Sequence, residues 1–160
     1  MPTEPAQSTW DVTWMAVAEE VARHRGRCVR AKVGVVVVGP NHRVLGVAYN
    51  GAPSGWETGP GDCTHYCPRG AGESHLPGYS DCVAVHAEAN GITYTDSLLR
   101  QGGTIYVTRV PCLMCAKLIA ASGLARVVCG EDEGGRFHEP GASIAYLRAA
   151  GLEVEVVDVG

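Results

Sequence analysis

Apolar positions recur along the chain at two spacings, one helical and one extended. Trp14, Val17, Ala18 and Val21 repeat at helical spacing, with Glu19, Glu20 and Arg23 on the other side. This pattern predicts an amphipathic helix over residues 10–25, with Gly26 as its stop. Residues 33–38 form a short β-branched run, the mark of a buried strand. Gly39-Pro40-Asn41 reads as a turn, and residues 43–49 as the hairpin partner. Residues 50–76 are dense in Gly, Pro, Cys and polar side chains, and a loop of that length needs something other than a core to order it. Apolar periodicity then resumes. It predicts a helix over 86–99, a strand over 104–108, and a helix from Pro111, a residue suited to a first helical position, to about Ser122, with Gly123 as the stop. A strand over 125–129, a helix over 144–150 closed by Gly151 and a last strand over 153–157 complete the chain. Strands that alternate with helices late in a chain imply parallel pairing with helices on the sheet faces, so the class is α/β. No internal repeat and no low-complexity block interrupts this order.

Composition narrows the function. The length of 160 residues fits one domain, with residues 1–9 as a polar tail expected to be flexible. Hydrophobic residues make up 46% and charged residues 19%, so a packed core is feasible. Thirteen basic residues against seventeen acidic ones leave a net charge of -4, which argues against a protein whose main task is gripping a nucleic-acid backbone. A small anionic substrate needs only one or two local cations and stays open. No apolar run reaches the length of a membrane span, and residues 1–7 lack a signal pattern, so the expectation is a cytoplasmic protein. In such a compartment seven cysteines point to metal binding or catalysis rather than to disulfides.

Two segments carry the chemistry: His86-Ala87-Glu88 and Pro111-Cys112-Leu113-Met114-Cys115. In this order they match the H-x-E and P-C-x-x-C signature of zinc nucleobase deaminases. The residue types suit the task. Zinc favours four tetrahedral ligands, and thiolate and imidazole are among its preferred donors. Cys112 and Cys115 are one helical turn apart, which puts both sulfurs on one side, at a helix N-terminus whose dipole favours thiolates. His86 supplies a third ligand and leaves the open fourth position that a catalytic zinc requires. Glu88 is then a proton carrier and not a ligand, and it needs a pKa raised toward neutrality to both accept and donate. CxxC alone reads equally well as a structural zinc site or as core cysteines, and HAE alone as a helix surface. It is the pair that makes the signal specific.

The stretches CVRAKVGVVVVGP, YNGAPSG, HAEANGI and TIYVTRVPCLMCAKLIAASGLARVV resemble the deoxycytidylate (dCMP) deaminase family, over about residues 10–157. The catalytic pair is shared more widely among deaminases; YNGAPSG and the Ala-Asn after HAE are more specific to the deoxycytidylate type. The resemblance implies a three-layer α/β/α sandwich around a mixed five-stranded sheet. It also implies His86, Cys112 and Cys115 as zinc ligands, Glu88 as proton shuttle, and hydrolysis of dCMP to dUMP and ammonia. Many members form homo-oligomers, often hexamers. Asn50 matches the position that contacts the nucleotide sugar, though an Asn-Gly pair also suits a turn. Ala87 and Val110 are the neighbours expected around the base. Arg30 and Lys32 are the phosphate candidates by analogy, although solvated surface charge is the plainer reading of both. Val110 stands where many relatives carry Phe, Tyr or Ser, and Arg109 replaces a commonly apolar residue and reads as an exposed strand-end arginine.

Relatives of this type often bind a second, structural zinc. Cys28 and Cys63 resemble positions of that site, and Cys67 and Cys82 complete an all-cysteine set, with His65 and His75 as alternatives. A closed tetrahedral site is one way to order the coreless loop. Cys129 lies on a predicted core strand and reads as a small buried hydrophobe. Three other readings are weaker: the same chemistry on a nucleoside, a purine base or a specialised metabolite; a polynucleotide deaminase; and a non-catalytic zinc module, for which Glu88 has no use.

Overall fold

The first helix begins where the helical period begins. In a computed structural model that describes residues 9–134 and 138–159, α1 (Trp10–Arg25) is capped by the Thr9 hydroxyl, which accepts from the Val12 N–H. The expected tail at 1–9 lies, apart from this Thr9, outside the described residues. Strands β1 (Gly34–Val38) and β2 (Val44–Tyr49) follow, then a 3-10 turn (Cys63–His65) and the short α2 (Pro68–Ala71). Next come α3 (Ala87–Thr93), β3 (Thr104–Val107), α4 (Leu113–Ala121), β4 (Arg126–Gly130), α5 (Pro140–Ala149) and β5 (Glu153–Val157).

The sheet is five-stranded in the order β2-β1-β3-β4-β5. β1 pairs antiparallel with both β2 and β3, whereas β3, β4 and β5 run parallel. Alternation sorts the central strands into two cores. Val35, Val37, Ile105, Val107, Val127 and Cys129 face α3, α4 and α5 through Ala87, Ala116, Ile119 and Leu147. Val36, Val38, Tyr106 and Val128 face α1 through Met15 and Ala18. Every residue of β1 is buried, which is why it reads as a continuous valine run and not as an alternation. The contact with α1 is close enough that a Cβ on Gly34 would stand 1.9 Å from the Ala18 carbonyl oxygen. This is the three-layer α/β/α fold around a mixed sheet that the resemblance implies. No helix among the described residues is long and apolar enough to cross a membrane.

Three helix boundaries differ from the sequence expectation. The helix expected over 86–99 ends at Thr93. The Thr95 hydroxyl donates to the Gly91 carbonyl, and Asp96 Oδ1 accepts from the N–H groups of Leu98 and Leu99, so a side-chain-capped turn replaces the last turns and leaves Leu98 exposed. α4 starts at Leu113 rather than Pro111, because Cys112 is its extended N-cap, with ψ of 164°. α5 starts at Pro140, before the expected 144, with the proline in the first turn where its missing N–H costs nothing. The loop at 50–76 is not structureless. Arg27 ties it down by donating to Gly61 O, Gly59 O and Thr58 Oγ1, and the 3-10 turn and α2 lie within it.

A polar junction fixes α1 to the sheet. Arg126 on β4 donates to both Asp11 oxygens at 2.7 and 2.8 Å, and the buried Tyr106 hydroxyl donates to Asp11 Oδ1 at 2.8 Å. The Arg126 hydrogen bond holds the Asp11 carboxyl below its ordinary value. A depressed folded-state pKa stabilises the fold fully above the unfolded value and is lost as pH falls through the folded one. Asp11→Ala strands the Tyr106 hydroxyl and is expected to cost about 1–3 kcal/mol at neutral pH. Urea unfolding of variant and parent should show that gap, and show it shrinking in acid. Equal midpoints at pH 7 would mean that the junction does not hold α1.

Candidate metal centre and active site

Two helix N-termini meet beyond the C-terminal end of β3. His86 is the extended N-cap of α3, with φ of -63° and ψ of 147°, and Cys112 is the N-cap of α4. Short-range bonds set both positions. Gly51 and Val85 exchange backbone hydrogen bonds at 3.1 and 2.9 Å, which aligns the residue before His86 with the end of β2. The Asn90 side chain donates to the Tyr49 carbonyl at 3.0 Å and pins α3 to the same strand. Gly34 and Thr108 pair at 3.1 Å, which carries β3 directly into Val110 and Pro111.

The result is a compact donor set. His86 Nδ1 lies 3.6 Å from Cys112 Sγ and 3.4 Å from Cys115 Sγ, and the three ligand atoms all fall within 4.8 Å of one another. A tetrahedral zinc with its ordinary bond lengths to sulfur and nitrogen spaces such donors by about 3.6 Å, so one imidazole and two thiols fit the metal in type and in spacing. The Cys112 thiol is pushed down to about 3, first by its hydrogen bond with Cys115 and then by His86. The same contact pushes Cys115 up. His86 is raised, chiefly by its contact with Cys112.

Glu88 sits in the first turn of α3 beside these donors and is only 5% exposed. Burial raises its pKa, and neighbouring Cys112 adds to the shift. A cavity of about 550 Å³ opens against Glu88, His86 and Cys112. Ala87 and Val110, both buried, line it, and exposed Arg30 stands on its wall. Asn50 lines it too, but is more than a turn residue: its Oδ1 accepts from Val33 N–H and its Nδ2 donates to Ala31 O, both at 2.8 Å. Lys32 is exposed and is not among the residues that line the cavity. It lies in the segment just before β1, where a Cβ added at Gly26 would stand 2.9 Å from its own Cβ.

The wall also holds residues that the sequence reading did not single out, Tyr79 and Asp132 among them. Tyr79 meets the His86 ring edge-on at 5.1 Å, with the Arg69 guanidinium 4.8 Å from its own ring centre. Asp132 and His138 follow β4 and line the cavity. Asp132 pairs with Arg109, which is therefore not a free strand-end arginine. The carboxyl ends of parallel strands are where such sheets gather site residues, and that rule marks Asp132. Tyr79 carries no comparable signal.

Cys28, Cys63, Cys67 and Cys82 also come together on this wall, all as free thiols. Cys67 and Cys82 have their sulfurs 3.9 Å apart, and the N–H groups of Val29 and Val83 point at Cys63 and Cys67 from 3.4 and 3.5 Å. This set is looser than the first: among the described residues, only the His86 group has all its ligand atoms within 4.8 Å. His65 and His75 are exposed and do not line the cavity. Cys129 is fully buried in the core, and burial pushes its thiol up to about 12.

Comparison with known proteins agrees with the geometry. The family model for the cytidine and deoxycytidylate deaminase zinc-binding region matches residues 8–131. The deoxycytidylate deaminase of Mycobacterium phage D29 is 47% identical over 126 residues, covering 74% of this chain and 92% of that protein. The mouse (Mus musculus) deoxycytidylate deaminase is 30% identical over 143 residues, covering 89% and 76%. The crystal structure of dCMP deaminase from cyanophage S-TIM5 in complex with dCMP and dUMP matches with a TM-score of 0.71 at 27% identity, covering 96% of this chain and 100% of that one. With its metal-type donor trio and buried glutamate in place, this chain belongs to the cytidine and deoxycytidylate deaminase family.

Proposed function

We propose that the chain hydrolyses dCMP to dUMP and ammonia, with His86, Cys112 and Cys115 holding a catalytic zinc. The observation that carries this reading is the buried Glu88 carboxyl beside the donor trio, on the wall of a cavity large enough for a nucleotide. The similarity to the phage D29 and S-TIM5 enzymes favours dCMP over a free nucleoside, a purine or a specialised metabolite. Zinc, when bound, supplies Lewis-acid activation of the attacking water. Glu88, whose pKa burial raises, takes a proton from that water and delivers it to N3 of the cytosine ring, which makes C4 open to attack. The same carboxyl then takes the proton of the new C4 hydroxyl and hands it to the amine, so that the C4–N bond breaks as the C4 carbonyl forms and water plus dCMP balance dUMP plus ammonia. Ala87 and Val110 close the cavity around the base and limit water, while Asn50 faces the sugar. Arg30 is one cation for a phosphate on the wall of the same cavity. A second zinc held by Cys28, Cys63, Cys67 and Cys82 belongs to the same reading. The 3.9 Å sulfur spacing is about that of two thiolates on one tetrahedral zinc, and backbone N–H groups already face the sulfurs. Sites built on reduced thiolates suit the cytoplasm. Exposed Tyr94, Leu98, Met114 and Leu118 around α3 and α4 support a homo-oligomer, hexameric by the family resemblance.

Ammonia release from dCMP, with CMP, deoxycytidine and guanine beside it, tests the substrate. Turnover of dCMP above the others is expected, and silence on dCMP in zinc-replete protein would sink the reading. Glu88→Gln should keep fold and zinc and lose turnover by roughly 10²–10⁴-fold; full activity in that variant would remove Glu88 from the chemistry. Metal analysis should give about two zincs per chain, one for each proposed site. A firm value of one that Cys28→Ser leaves unchanged would dismiss the second site.

A further inference from the structure

Arg109 stands just past the end of β3, next to Val110, and lines the cavity. Its Nε and Nη2 donate side-on to Asp132 Oδ2 and Oδ1 at 2.8 and 3.0 Å. The Asp132 side chain is 3% exposed and also accepts from the Gly134 N–H at 2.8 Å. This arrangement fixes the plane of the guanidinium and uses one of its edges. Nη1 has no hydrogen bond to a described residue. Burial alone would push the Asp132 carboxyl up, yet the bonds from Arg109 and Gly134 bring it below its ordinary value, so the anion is committed to holding Arg109.

The surroundings of this pair are cationic in a chain that is acidic overall. Arg30, Arg69 and Arg109 all line the cavity, against the carboxyls of Glu88 and Asp132. Of those two, Asp132 is paired with Arg109. Arg69 is occupied by the Gly78 carbonyl and the Tyr79 ring. Arg30 has no hydrogen bond or ion pair with a described residue. His138 adds two buried ring nitrogens without a hydrogen bond among the described residues, although its Nε2 lies 3.2 Å from Asp132 Oδ2. Donors left over on a rigid wall beside a base site call for an anionic partner.

We propose that Arg109, oriented by Asp132, binds the 5′-phosphate of the nucleotide, with Arg30 approaching from the same cavity, so that this pair selects a monophosphate over a nucleoside. The inference rests on the dCMP reading above. A guanidinium offers planar, paired donors that match phosphate oxygens, and one already immobilised loses less side-chain freedom on binding. Asp132 is a positioning residue in this scheme, since it acts through Arg109.

Steady-state kinetics on zinc-loaded parent, Arg109→Leu, Arg109→Lys and Asp132→Asn, with dCMP and deoxycytidine, test it. Removing a charge-assisted contact to phosphate should lower kcat/KM for dCMP by about 10- to 100-fold. The loss should fall mainly on KM, and discrimination against deoxycytidine should shrink by a similar factor. Arg109→Lys should recover part of it. Asp132→Asn should raise KM for dCMP with kcat largely kept. Calorimetric binding of dUMP and of inorganic phosphate should weaken in step. If Arg109→Leu loses its zinc or its fold, the Lys variant carries the test. Unchanged KM for dCMP in variants that keep their zinc, whatever their melting temperature, overturns the proposal and leaves the dCMP reading intact. A parent inert toward dCMP overturns both.

Discussion

The convergence of two helix N-termini over the end of β3 is the constraint on which the rest of the site depends. α3 and α4 each present unpaired N–H groups and the positive end of a dipole to the same small volume. Such an arrangement favours anionic groups, and the chain places two thiols and a carboxyl there. Cys112 is easily ionised, Cys115 lies one turn further in, and Glu88 is buried between them and the cavity. Thiolates at these positions offset the positive helix ends, and together with the imidazole they form a donor set that could hold a dication. The sheet supports this by burying β1 and β3 between both helical layers, so that the ends of α3 and α4 start from fixed points.

The segment between β2 and α3 forms the second wall. It has few apolar residues to bury, and its order comes from polar ties: Arg27 to the 58–61 backbone, the Cys63 N–H to Arg27 O, and the four clustered cysteines. That order reaches the reacting centre through Tyr79 against His86. The order of this loop and the orientation of His86 are thus linked through one aromatic contact. On the opposite side, Arg109 and Asp132 join the ends of two neighbouring parallel strands, which makes the cavity wall rigid where a substrate's charged end would lie.

How much of this was legible in the chain follows from the range of the interactions. The valine run of β1, the parallel late strands and the helix of α1 were legible because burial on one face or two leaves a period in the residues themselves. Cys112 and Cys115 were legible because they stand one helical turn apart, and His86 and Glu88 because their H-x-E pattern precedes that pair in the order the chemistry requires. The end of α3 was not, since local bonds from Thr95 and Asp96 outcompeted an apolar pattern that ran on to Leu99.

The sequence by itself therefore determined the class of fold, the donor types and their local geometry, all of which depend on neighbours within a few residues. Only the tertiary structure decided which distant groups share the cavity. Arg109 meets Asp132 across 23 residues, Tyr79 reaches His86 out of an aperiodic loop, and Arg30 lines the cavity while Lys32 does not. Such contacts depend on strand order and on which way a strand end turns, and neither leaves a period in the chain.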